Sequence, residues 1–230
     1  MRMGQQREID DRFITAQTAP FRNALRGGVG NALTYRSGRF SPKAYSRCST
    51  QGMFLRKDSI EKGKPKIALI IDCSGSMGGD PIDGAANLAY ILSMLHESNA
   101  IDARIYCSGK HSSGVGGGFK VPLPQPKWVW EHLMAPHGSE FLSQTFYQFR
   151  NEIVECDLLA CYTDADISDH ALKPSLWRKH GRSCVGLYQG SIGQISVMRR
   201  YFDYAIAREN IEDLFSEYLR LVTRLIQKKV

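Results

Sequence analysis

Five short apolar runs, separated by segments of helical periodicity, leave few folds open to this chain. The runs are KIALIID (66–72), IDARIYC (101–107), DLLACYT (157–163), SCVGLY (183–188) and FDYAI (202–206). They are rich in β-branched and aliphatic residues on both faces, the pattern of strands covered by two layers. Between them Ala85, Leu88, Ile91, Leu92 and Leu95 recur at helical spacing, as do Phe141, Phe146, Phe149 and Ile153 with one irregular step. Ile211, Leu214, Phe215, Tyr218, Val222 and Leu225 mark a last amphipathic helix. Strands alternating with helices predict an α/β fold: a doubly wound, mostly parallel, Rossmann-like sheet flanked by helices, joined by right-handed crossovers.

Composition sets the remaining bounds. A chain of 230 residues, 43% hydrophobic and 23% charged, has the length for a buried core and excludes collagen-like, coiled-coil and low-complexity classes. The formal net charge of +7 lies wholly in residues 1–60, which carry 11 Lys and Arg against 4 Asp and Glu, while residues 61–230 balance at 19 and 19. The expected division is therefore a basic N-terminal arm or small subdomain (1–60) and a neutral body (61–230). The arm shows no sustained periodicity beyond a short helix opened by Ser41 as N-cap and Pro42 in the first turn. The Gly- and Pro-rich stretch 108–127 reads as a long exposed loop with an edge strand at GFKVPL. Six cysteines without a Cys-x-x-Cys pair, several inside apolar runs, read as reduced, buried thiols. No signal-peptide pattern opens the chain and no apolar run is long enough for a membrane span, so the expected location is cytoplasmic.

In a doubly wound sheet, ligands meet the loops beyond the carboxyl ends of the strands. The loop after the first run is Asp72-Cys73-Ser74-Gly75-Ser76-Met77, an acid followed by hydroxyls at alternate positions, and the loop after the third is Thr163-Asp164-Ala165-Asp166. Carboxylates and neutral hydroxyls brought to one point are oxygen-only ligands, suited to a hard cation, Mg²⁺ first and Mn²⁺ second. With only Asp72 and Asp164 ionised beside it, the site is close to neutral overall, and the cation stays electrophilic enough to accept a carboxylate from another molecule. A turn that merely caps the next helix is the plainer alternative for Asp72, Ser74 and Ser76.

The stretch DCSGSM after an apolar strand resembles the Asp-x-Ser-x-Ser motif of the von Willebrand factor A (VWA) family and its metal-ion-dependent adhesion site (MIDAS). The resemblance implies Asp72, Ser74 and Ser76 as first-loop ligands, Ser139 in PHGSEF standing in for the second-loop threonine, and Asp164 in YTDAD as the third-loop acid. As a plainer alternative, Ser139 is the N-cap of a helix from Glu140 to Ile153, and Asp166 is a helix-start or loop charge. SGRFSPKAYSRCSTQGMFLRKDS before the first strand and IGQISVMRRYFDYAIARENIEDLF near the end are similar to the C-terminal domain of the CobT-type cobaltochelatase subunit, so that the resemblance spans about residues 36–226. It implies an accessory role in a chelatase-like complex of cobalamin biosynthesis or in remodelling, with a MoxR-type AAA+ ATPase as partner. The chain has no G-x-x-x-x-G-K-[ST] loop, since Gly109-Lys110 is followed by His111, so ATP hydrolysis would come from that partner.

Two other function classes are weaker. A hydrolase would take Ser76 as nucleophile with His170 and Asp164, but the G-x-S-x-G elbow fails because residue 74 is Ser; no His-Glu-x-x-His run exists either. A nucleic-acid-binding protein would use Arg22, Arg26, Arg36, Arg39, Arg47 and Arg56 on phosphates, with Tyr35, Phe40 and Tyr45 for stacking. No nucleic-acid module appears, and the resemblance of residues 36–57 favours docking on an acidic protein surface.

Overall fold

The computed structural model describes residues 29–34, 39–47, 54–59, 64–110, 116–126 and 138–228. The chain divides into two compact units, one spanning Arg22–Gly63 and one carried by Lys64–Val230. Cys48, His111, His132 and His137 lie outside the described residues, as do Arg22, Arg26, Tyr35 and Arg36.

The first unit holds an antiparallel sheet of β1 (Val29–Thr34), β2 (Arg39–Phe40) and β3 (Phe54–Ser59) in the order β1-β3-β2, with the short helix α1 (Pro42–Ser46). The helix begins where Ser41 and Pro42 predict it. The strands were not legible, because VGNALT and FLRKDS mix apolar, Gly and charged residues without clean alternation.

The second unit is the α/β body. In chain order it contains β4 (Lys66–Asp72), α2 (Asp80–Glu97), β5 (Asp102–Lys110), β6 (Gly116–Val121), α3 (Leu142–Gln148) and α4 (Arg150–Ile153). There follow β7 (Leu158–Tyr162), α5 (Pro174–Lys179), β8 (Cys184–Gln189), α6 (Ile195–Met198), β9 (Tyr204–Arg208) and α7 (Ile211–Lys228). Its six-stranded sheet has the order β6-β5-β4-β7-β8-β9, parallel throughout except for β6, which runs antiparallel to β5. All five predicted runs are strands, and GFKVPL contributes the edge strand. The chain steps outward from β4 to β6 and then returns to β7 on the other side of β4. The switch point between β4 and β7 is where such a sheet opens a crevice.

Burial explains the layers. From Ile67 to Asp72 every residue of β4 is buried, as is the whole of β7. Ala68, Ile70, Leu159 and Cys161 face a cluster that includes Leu142, Phe146, Trp177 and Phe202. Ile67, Leu69 and Ile71 alternate to the other face, where α2 packs on β5 and β8, and α7 on β8 and β9. Pro81 sits in the first turn of α2 with Asp80 and Asp83, which suit the positive end of the helix.

One expectation is corrected here. The helix predicted from Glu140 to Ile153 is two short helices: α3 starts only at Leu142, inside the irregular five-residue step from Phe141 to Phe146, and the pair breaks at Phe149. Phe141 occupies the capping position in a left-handed conformation, at φ +50°, so Ser139 is not an N-cap. The reason is the loop before it. Glu140 is 5% exposed, and its carboxylate accepts the backbone N–H of Ser168 and of Asp169, which binds residue 140 to another loop rather than to a helical turn.

Candidate metal centre

Asp72 ends β4 at the switch point and is fully buried. Its Oδ1 accepts the Ser74 N–H at 2.9 Å and its Oδ2 accepts the Thr163 hydroxyl at 3.1 Å. These bonds tie the first loop and the end of β7 to one carboxylate. The chain then makes a single 3-10 turn, Gly75–Met77, which brings the Ser74 and Ser76 hydroxyls to 3.1 Å from one another. Ser74 is 3% exposed, whereas Ser76 is exposed. Alternate positions in a turn thus place one hydroxyl beneath the other at the mouth of the crevice.

The third loop begins with Thr163, which also accepts the Ala165 N–H at 3.3 Å; Ala165 is left-handed at φ +67°. Asp164 is half-buried and accepts the N–H of Asp166, which is itself exposed and begins no helix. Asp166 is a loop charge. The second loop reaches the first through the Gly75 N–H, which donates to the Gly138 carbonyl at 3.0 Å. Ser139 is exposed beside it and lines a shallow cleft with Glu140, Phe141, Ser143, Ser168 and Asp169. The structure therefore brings together Asp72, Ser74 and Ser76, and places the loops of Ser139 and Asp164 alongside them.

Charge at this point is unbalanced. Desolvation pushes the Asp72 carboxyl up to about 6; the Ser74 hydrogen bonds oppose the shift, and the fields of Asp164 and Glu140 add to it. Glu140 also lies above its usual range, first from burial and further from Asp164, against the bonds from Ser168 and Asp169. Three carboxyl groups thus act on one another at the carboxyl ends of the central strands. A bound cation would relieve that repulsion.

The donor set fits a hard cation. It consists of carboxylate and hydroxyl oxygens without nitrogen or sulfur; among the described residues no three His, Cys, Asp or Glu side chains, here or elsewhere, form a group that could hold a metal ion by themselves. Of the other histidines, His96 accepts the Ala103 N–H on Nδ1, His180 packs on the Phe146 ring and His170 is exposed. Five cysteines are free and buried, as their apolar settings predict.

The roles of two side chains were not legible in the sequence. Thr163 reads there as one of the hydroxyls of the loop after the third run, without an assigned role; in the structure it orients Asp72. Glu140 reads as a helix residue, and its burial against a loop 28 residues away had no local signature.

No family model and no curated protein matches the chain. Two of the solved structures that match are similar at a low level. The SpRpn10 VWA domain is 10% identical, with a TM-score of 0.47 over 67% of this chain and 95% of that domain. The pilus adhesin SpaC from Lactobacillus rhamnosus GG, in its open conformation, is 11% identical, with a TM-score of 0.46 over 73% of this chain. This chain spans 30% of the adhesin's length. The likeness concerns the fold alone. Among the described residues, no helix is long and apolar enough to cross a membrane.

Proposed function

We propose that this chain is a VWA-type accessory or adaptor protein, CobT-like, that binds Mg²⁺ (or Mn²⁺) in order to hold an acidic side chain of a partner, a MoxR-type AAA+ ATPase. The observation that supports this reading is the convergence at the switch point of buried Asp72, the Ser74–Ser76 hydroxyl pair and the loop of Asp164. Asp72, Ser74, Ser76 and Asp164 would hold the ion, with Ser139 as fifth contributor.

Each residue has a distinct task. Asp72 is the fixed anchor, since two hydrogen bonds hold its carboxylate in place. Ser74 and Ser76 supply neutral oxygens, so they add ligands without cancelling charge. Thr163 holds the Asp72 orientation from below, and Glu140 binds the second loop to the Ser168–Asp169 backbone, which sets the height of Ser139 at the rim. When bound, the cation supplies a positive charge and an open position for a carboxylate oxygen. No group of this chain is assigned a catalytic step. The association is expected in the cytoplasm, with ATP hydrolysis carried by the partner.

The test is capture of the tagged full chain from its native cell in Mg²⁺ and in EDTA, with Asp72→Ala beside it, read by mass spectrometry. An AAA+ ATPase recovered only with Mg²⁺ and intact Asp72 is the expected result. The same ATPase recovered with Asp72→Ala removes the metal from the account. Nucleic acid recovered equally in all three would move the function to the basic residues of the first 60.

A further inference from the structure

Among the described residues, two buried side-chain oxygens have no hydrogen-bond partner: the Ser108 hydroxyl and the Tyr218 hydroxyl. Tyr218 lies on α7, remote in sequence from the loops of the candidate centre. Ser108 does not. It lies in β5 and is the register partner of Asp72. Ala68, Ile70 and Asp72 occupy alternate positions of β4, and their partners Arg104, Tyr106 and Ser108 occupy alternate positions of β5. Ile70 and Tyr106 share one buried cluster, so Asp72 and Ser108 continue the same face one step further along. Neighbouring strands stand about 4.8 Å apart, which places the two side chains side by side. On the other flank of Asp72, Thr163 follows Tyr162, the partner of Ile71. The strand ends therefore present a row of Ser108, Asp72 and Thr163, with the carboxylate between two hydroxyls. Thr163 already donates to it.

The backbone holds Ser108 in that row. Its carbonyl accepts the Cys73 N–H at 3.0 Å, so the first residue of the first loop is bound to it directly. The hydroxyl is 1% exposed and cannot turn to bulk water. A buried hydroxyl without a partner is costly, and its register partner on the same face is a carboxylate with capacity for bonds beyond those from the Ser74 N–H and the Thr163 hydroxyl.

We propose that Ser108 is a positioning residue of the Asp72 site, its hydroxyl donating to the Asp72 carboxylate when that carboxylate engages the cation. This rests on the metal-binding reading above. Ser74 and Thr163 donate to Asp72; with the ion bound, Ser108 would be a further donor that keeps the carboxylate aimed along the crevice. Groups that orient a ligand in this way change metal affinity by about tenfold or more when removed.

The experiment is calorimetric titration of the full chain with Mg²⁺ alone, on the unsubstituted protein, Asp72→Ala, Ser108→Ala and Ser108→Cys, with melting of each in EDTA. Ser108→Ala is expected to bind Mg²⁺ about tenfold more weakly. Its metal-free melting point is expected to be equal or higher, because removing an unpartnered buried hydroxyl is neutral or favourable. Ser108→Cys, near in shape and a weak donor, is expected to lose affinity as well, and it carries the test if the alanine variant does not fold. Affinity retained in both variants while Asp72→Ala binds nothing overturns this inference and leaves the metal reading standing. Absence of Mg²⁺ binding by the unsubstituted chain overturns both. Weaker binding together with a lower metal-free melting point assigns Ser108 to packing and overturns the positioning role.

Discussion

At the scale of single residues, Asp72 sets the behaviour of the metal-free protein. Folding raises its pKa from 3.8 to about 6, so the folded chain keeps a proton that the unfolded chain has released. Its contribution to stability is complete below pH 3.8 and is lost as the pH rises through 6. Without metal, stability is expected to fall across pH 4–7, with this group accounting for roughly 3 kcal/mol. Asp72→Asn removes the titration and retains an acceptor for the Ser74 N–H, while the Thr163 hydroxyl turns to accept. In EDTA this variant is expected to equal the unsubstituted chain near pH 4 and to exceed it at pH 7.5, read by urea denaturation at both pH values. A parallel pH dependence in the two proteins would show that the carboxyl is not desolvated. Ser139 admits a separate test, because it is exposed and makes no helix cap: Ser139→Ala is expected to leave the melting point within about 1 °C and to weaken Mg²⁺ binding by about tenfold. Unchanged Mg²⁺ affinity in that variant would remove Ser139 from the ligand set.

At the scale of elements, the edge strand β6 carries a glycine run because α3 lies directly on it. A Cβ at Gly118 would stand 2.4 Å from Thr145 Cγ2, and one at Gly116 would stand 2.1 Å from the Phe141 ring. Thr145 cannot move easily; it is fully buried and donates to the Phe141 carbonyl at 2.9 Å. Gly118→Ala is therefore expected to destabilise by about 1–3 kcal/mol, the usual range for overpacking, and Thr145→Ala in the same chain should recover part of it. Purely additive losses in chemical denaturation would show that the two residues do not meet. The same contact explains why a stretch as glycine-rich as Gly116–Gly118 belongs to the edge strand that GFKVPL predicts. Small residues there accommodate a helix rather than a turn, and Gln148 reaches back to accept the Gly118 N–H at 3.1 Å.

At the scale of the whole molecule, the α/β body is organised around strands covered on both faces, and its thiols are buried with them. Burial pushes the Cys156 thiol up to about 11 and the Cys161 and Cys184 thiols well above their ordinary value. Reaction with a thiol-reactive dye should then require opening of the sheet, so no more than one of the six cysteines is expected to react within minutes under native conditions, and all six in denaturant. Two or more fast-reacting thiols in the native protein would contradict the burial described for the five. Ion pairs on the outside of the body, such as Arg208 with Glu217 and Lys120 with Glu152, fasten elements already placed by the core and are expected to contribute little singly.

The sequence by itself determined the α/β class, the five strands, the helices Asp80–Glu97 and Ile211–Lys228, and the identity of Asp72, Ser74 and Ser76 as neighbours in one turn. These are local facts: apolar periodicity and the spacing of polar residues in a turn are written within a few positions of one another. What only the tertiary structure decided depends on pairs far apart in the chain. Thr163 orients Asp72 across 91 positions, and Glu140 gives up a helical turn to hold the backbone at Ser168. Ser108 stands beside Asp72 because of strand register. Such pairings follow from which strands become neighbours at the switch point, and that choice is made by burial of the whole sheet rather than by any segment alone.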